Sequence, residues 1–130
     1  MASLFTKIVN GEIPCHKIAE DKDYLAFLDI RPINPGHALV IPKKEIDYIF
    51  DVDDQLLLGL MIFAKKIARA IKKSVPCTRI GIMVAGIEVP HCHIHLIPIN
   101  NIGDLNFANA KPVPKEELAD IAQQIKKNLE

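Results

Sequence analysis

The feature that most constrains the fold is His91-Cys92-His93-Ile94-His95-Leu96-Ile97-Pro98, where imidazoles alternate with apolar side chains. A period of two belongs to a β-strand, whose successive side chains leave opposite faces of the sheet. His91, His93 and His95 therefore share one face, and Cys92, Ile94 and Leu96 share the other. The chain must build a sheet whose apolar face is closed by further elements. The opposite face then carries three rings that titrate near neutrality.

Proline and glycine divide the rest of the chain. Asn10-Gly11 marks a turn, and the apolar runs 15–19 and 24–30, separated by charged residues 20–23, read as a hairpin. The two-proline connection 31–36 leads into a third strand at 37–42. Asp51 or Asp53 can cap a long helix reaching about Ser74, with Leu57, Leu60, Met61, Ala64, Ala68, Ile71 and Val75 as its apolar stripe. Leu58 and Ile62 fall off that stripe, so they either form a second buried surface, such as a subunit contact, or lie under a loop. Strands four and five follow at 79–85 and 92–98, and 100–111 reads as irregular. Pro114 then opens a final helix over about 114–129, striped by Leu118, Ile121, Ala122, Ile125 and Leu129. This order predicts an α+β fold on a five-stranded antiparallel sheet with one long helix and a C-terminal helix. The length fits one domain over residues 1–130.

Composition narrows the partners. Lys plus Arg and Asp plus Glu both number 16, so no net field recruits nucleic acid or an anionic membrane. No run approaches the roughly 20 apolar residues of a membrane span, and Met1-Ala2-Ser3-Leu4-Phe5-Thr6-Lys7 lacks the apolar centre of a signal peptide. Three cysteines, Cys15, Cys77 and Cys92, form no Cys-x-x-Cys pair. An odd set of this kind suits a reducing compartment, and the expectation is a cytoplasmic protein.

Two chemistries can use the histidine row. A metal site is disfavoured by reach: strand residues four apart stand roughly 13 Å from one another, too far to converge on one ion without a bulge. No metal and no cofactor is therefore expected. Nucleophilic and acid–base catalysis fits better, because a neutral imidazole can attack phosphorus while a neighbour contributes a proton.

The row, His-x-His-x-His with apolar partners, resembles the defining motif of the histidine triad (HIT) family of nucleotide hydrolases and transferases. Residues 27–43, Phe-Leu-Asp-Ile-Arg-Pro-Ile-Asn-Pro-Gly-His-Ala-Leu-Val-Ile-Pro-Lys, are similar to that family's nucleotide-pocket region. The opening Phe5-Thr6-Lys7-Ile8-Val9-Asn10-Gly11-Glu12-Ile13-Pro14 is similar to its usual start. The likeness spans about residues 4–98, with a motif-bearing part to about 106. It implies a Hint-type activity: release of a nucleoside monophosphate from an amine, ester or phosphate leaving group through a nucleotidyl-histidine intermediate. It implies His93 as nucleophile, His95 as the contact to phosphate and leaving group, and His91 with His37 as a supporting pair. It further implies Asp29 as the ribose carboxylate, with Leu4, Phe5, Ile8, Phe27 and Ile30 walling the base, and a twofold homodimer acting on AMP or GMP conjugates. The other readings are a dinucleoside polyphosphate hydrolase and a nucleotide-binding module with little turnover.

The chain departs from that pattern in places. Residues 84–90 are shorter than the family's glycine-rich loop, with Ala85 where an amide residue is usual and Glu88 where a hydroxyl or amide is usual. A carboxylate beside phosphate is repulsive; Glu88 either points away or favours a cationic leaving group. The motif runs into Pro98-Ile99-Asn100 rather than an arginine, which argues against polyphosphate substrates. The Cys-x-x-Cys of zinc-carrying relatives is missing, with Leu4 and Lys7 read in its place, and a C-terminal helix replaces the short tail that shapes the leaving-group side in some relatives.

Overall fold

The computed structural model describes residues 2–129. The strand that takes up the end of the histidine motif, β5 (Ile94–Ile99), with His95 in it and His91 and His93 just ahead of it, lies antiparallel between β3 (Ala38–Pro42) and β4 (Arg79–Met83). Beyond β3 come β2 (Tyr24–Leu28) and β1 (Lys17–Glu20), giving a five-stranded antiparallel sheet ordered β1-β2-β3-β5-β4. The sheet and its strand sequence are those the sequence predicts. Register places Leu39 and Met83 on either side of His95, and Ala38 and Ile82 on either side of Leu96.

The face bearing Ala26, Leu28, Ala38, Val40, Ile94 and Leu96 is covered by α2 (Asp54–Ser74) and α3 (Lys115–Lys127). Asp53 caps α2, its side chain accepting from the Leu56 N–H, which decides between the two capping candidates. Pro114 occupies the N-cap position of α3, one residue ahead of its helical turns. The buried stripe of α2 is Leu60, Phe63, Ala64, Ile67, Ala70 and Ile71. This corrects the expected stripe: Met61 is exposed, and Phe63 and Ile67 take core positions instead. A helix apolar on more than one side offers two overlapping stripes, and contact with the sheet selects one. Leu58 and Ile62 lie under no loop; both are about three-fifths exposed (60% and 61%). Gly59 is required here, because a Cβ would collide with the hydroxyl of Tyr24, which donates to the Leu56 carbonyl.

The opposite face is covered differently. At one end α1 (Leu4–Val9), a helix that the sequence pattern does not announce, lays Phe5 on Leu25, Phe27, Leu39 and Ile41. At the other end Ile97 and Ile99 pack with Ile33, against Leu105 and Ala110 of the connection to α3. That connection is less irregular than expected, since residues 102–104 and 107–109 form tight helical turns. Among the described residues no helix is long and apolar enough to cross a membrane.

Candidate functional site

Between those two covers lie the histidines. His37 and His91 are fully buried, and His93 and His95 are 7% exposed. Each ring except His95 has one partner whose hydrogen-bonding role cannot be reversed, and these partners set the tautomers. The Ile33 N–H donates to His37 Nδ1 at 3.0 Å, so neutral His37 carries its proton on Nε2 and donates to His95 Nδ1, also at 3.0 Å. His95 then carries its own proton on Nε2. His93 Nδ1–H donates to the His91 carbonyl at 2.8 Å, which leaves the Nε2 lone pair of His93 uncommitted. His91 Nε2–H donates to the Pro42 carbonyl at 2.7 Å, and its Nδ1 lies 3.0 Å from the Ser3 hydroxyl. The row thus offers one free nitrogen lone pair and, next to it, one free N–H.

Burial holds the supporting rings neutral. It pushes His37 down to about 4, and burial together with the neighbouring His37 and His93 pushes His95 down to about 3. Burial also lowers His91, against a smaller upward pull from the Pro42 carbonyl and Glu45. Asp29 ends the β2 side of the site, its Oδ1 accepting from the Arg31 N–H at 2.9 Å. Desolvation raises its pKa, partly offset by that N–H and by the attraction of the nearby His93 and Arg31 side chains. Asp29 Oδ2 stands 3.7 Å from His37 Nε2, but a ring pushed to about 4 is uncharged at neutrality, so this is proximity rather than an ion pair.

Asp29, His37 and His95 bring one potential ligand atom each within 4.8 Å of the others. The hydrogen bonds count against a metal there: with Nδ1 committed to Ile33, His37 Nε2 bears a proton and has no lone pair to give.

The remaining predicted residues divide. Phe5 and Phe27 are core, 5% and 3% exposed and edge-to-face at 5.6 Å, and Phe5 also edges His93 at 4.9 Å. Ile8 packs partly buried beside them. Leu4 (47%) and Ile30 (64%) keep apolar surface open to solvent. Glu88 is exposed, and its carboxylate adds to the upward push on Asp29. The polar side chains of the first residues that reach His91 belong to Ser3 and Thr6, not to Leu4 and Lys7.

Sequence reasoning missed Phe107, whose ring sits 4.9 Å from His95, and Glu45, which holds Ser3 and Thr6. Neither has a local signal, because each meets the site through chain reversal. Two open grooves of about 280 and 370 Å³ lie along α2, and no histidine lines either.

The antiparallel sheet and its four buried histidines, with His37 and His95 joined ring to ring, place the chain among α+β proteins with a histidine-rich site. Within that class the chain belongs to the HIT family, whose domain model matches residues 10–102. An uncharacterized HIT-like protein of Borreliella burgdorferi is 35% identical over 135 residues, covering 97% of both chains. The adenosine 5'-monophosphoramidase of Schizosaccharomyces pombe is 33% identical, covering 99% of both. A crystal structure of a HIT-like protein from Bartonella henselae superposes with a TM-score of 0.87 at 35% identity, covering 98% of this chain and 96% of that one.

Proposed function

We propose that the protein is a nucleoside phosphoramidase that works through a nucleotidyl-histidine on His93. The observation that carries this reading is the uncommitted Nε2 lone pair of His93, held by the Nδ1–H bond to the His91 carbonyl. That lone pair attacks the α-phosphorus of an AMP or GMP conjugate. The bond from phosphorus to the leaving nitrogen or oxygen breaks, its electron pair departs with that atom, and the atom takes a proton from water. The substituted ring is cationic. It is stabilised by the carbonyl on Nδ1–H and by the nearby Asp29 carboxylate, whose pKa already responds to His93. Water then attacks phosphorus, His93 departs, and the nucleoside monophosphate leaves with release of one proton.

His95, held neutral, donates its Nε2–H to a phosphoryl oxygen or the leaving atom as a fixed dipole rather than as a stored acid. His37 orients His95, and Asp29 accepts the ribose hydroxyls, with the open apolar surface of Leu4 and Ile30 beside the base. Similarity to a protein named as an adenosine 5'-monophosphoramidase supports the amine leaving group. We further infer a homodimer: Met61, Ala64, Ala68, Ile80 and Ile82 line the groove between α2 and β4, and β4 ends the sheet. Exposed apolar surface of that kind is characteristic of interfaces. The free cysteines Cys15, Cys77 and Cys92 suit a reducing cytoplasm.

The test is mass spectrometry of protein mixed with an adenosine phosphoramidate. An adenylyl adduct on His93, absent from His93→Ala while that variant still binds AMP, is the expected result. An adduct on His91 or His95, or turnover by His93→Ala, overturns the assignment.

A further inference from the structure

We propose that Ser3 is a positioning residue for the reacting histidine: its hydroxyl fixes the neutral Nε2–H tautomer of His91, whose carbonyl in turn fixes the tautomer of His93. The inference rests on the reading of His93 as nucleophile, but its ring-nitrogen readout does not.

The geometry assigns every proton in this corner. Ser3 is 7% exposed and stands 88 positions from His91 in sequence, yet its Oγ lies 3.0 Å from His91 Nδ1. Pro42 O can only accept, so the His91 proton is on Nε2 and Nδ1 needs a donor. Thr6 also approaches that nitrogen, at 3.4 Å, but its hydroxyl donates to Glu45 at 2.7 Å. Ser3 Oγ accepts from the Thr6 N–H at 3.0 Å, as the N-cap of α1, which leaves its own proton for His91. Its alternative acceptor, Thr6 Oγ1, is farther away at 3.3 Å. Glu45 completes the clamp by accepting from the Ser3 N–H at 2.6 Å. Those donors hold its carboxyl near 2, so it stays charged.

Removing the donor changes which proton state is favoured. His91 is faced by Glu45 after β3, by His93 ahead of β5, and by the uncharged Ser3, Thr6 and Phe5 of α1; Glu45 favours a His91 cation and His93 opposes it. With no hydroxyl proton on Nδ1, that nitrogen is open to a proton from water, drawn by Glu45. A cationic His91 beside His93 disfavours the positive charge that nucleotidylation creates.

Three variants separate this role from helix capping. Ser3→Thr keeps cap and donor, Ser3→Ala loses both, and Ser3→Asp keeps a good cap but replaces the donor with an acceptor. If Ser3 only caps α1, the order of activity is Thr and Asp together, above Ala. If it positions His91, Thr stays near wild type while Ala and Asp fall by about tenfold, the scale of one lost hydrogen bond. The acid limb of kcat/KM then moves toward neutrality, furthest in Asp.

Ring nitrogen NMR reads the same point without turnover. Wild-type His91 should show a protonated Nε2 and bare Nδ1, and Ser3→Asp should show both protonated at pH 7. A wild-type Nδ1–H, or a Ser3→Asp protein with wild-type ring signals and pH profile, overturns the proposal. If Ser3→Asp fails to fold, the wild-type ring state and the His91 ring signals of Ser3→Ala decide, since loss of the cap alone leaves those signals as in wild type. If wild-type protein forms no nucleotidyl-histidine, the function falls while the ring signals still judge Ser3.

Discussion

The two faces of β5 are built on opposite rules. Ile94 and Leu96 point into a cluster where neighbours share only shape, and α2 and α3 close over them. His95, one residue away on the same strand, and His93 just ahead of it point to a face where the Nδ1 of each ring has a particular partner and the Nε2 of each is left free. The first face tolerates rearrangement among groups of similar volume, because dispersion and burial are not directional. The second does not, since turning a ring sets a donor against a donor or an acceptor against an acceptor at its fixed partner. Stability therefore resides mainly on one side of this strand, and the proposed chemistry on the other.

Truncating each face tests that division. Leu96→Ala should cost about 2–5 kcal/mol of stability, the range for emptying a well-packed core site, while the protein that remains folded keeps its kcat. His95→Ala should do the reverse, lowering kcat by about 10²–10³-fold, the cost of one lost electrostatic donor, with a much smaller change in the urea midpoint. Equal losses of stability from both would erase the distinction. Urea unfolding and steady-state turnover on the same two variants decide it.

A second measurement sharpens the comparison through pH. His37 is depressed in the fold to about 4 from an ordinary 6.5, so the unfolded chain binds a proton across that interval and the folded chain does not. The stability that depends on neutral His37 is complete above pH 6.5 and is lost as pH falls toward about 4. One such group steepens the slope by up to roughly 1.4 kcal/mol per pH unit. His37→Asn should flatten the wild-type curve between pH 6 and 4, whereas Leu96→Ala should lower the whole curve without changing its slope. Unchanged steepness in His37→Asn would show that His37 is already charged in the folded protein.

The smallest effect is expected at Glu88. It is exposed and acts on Asp29 only through a charge felt across solvent. Glu88→Gln should tighten AMP binding by less than tenfold, with the gain shrinking at high salt. A larger gain, or a change in preference between amine and polyphosphate leaving groups, would bring the carboxylate into contact with the reacting end of the substrate.

What was legible in the sequence follows the same division. The strand carrying the histidines, the hairpin before it and the Asp53 cap all rest on local patterns of period, turn and charge, and these survive folding. Strand ends moved where a partner outside the sheet intervenes: the Cys92 N–H donates to the Ile46 carbonyl, so the ladder of β5 begins only at Ile94. The helix α1 has six residues, too few for a stripe to register, and only its Ser3 cap is written locally. Glu45, Ser3 and Phe107 gain their meaning from partners 42, 88 and 12 positions distant, and no window of neighbouring residues encodes such meetings.

The segment that delivers Phe107 to His95 is largely self-contained. Asp104 accepts from the N–H groups of Asn100 and Asn101, Asn109 donates to the Gly103 carbonyl, and Asn106 caps its own turn. Such a segment can be lengthened, shortened or given a different side chain while the histidine row keeps its hydrogen bonds. On the proposed reading, selection, natural or in the laboratory, thus has an adjustable surface next to a fixed one, and new substrate preferences can be explored there without rebuilding the proposed nucleophile.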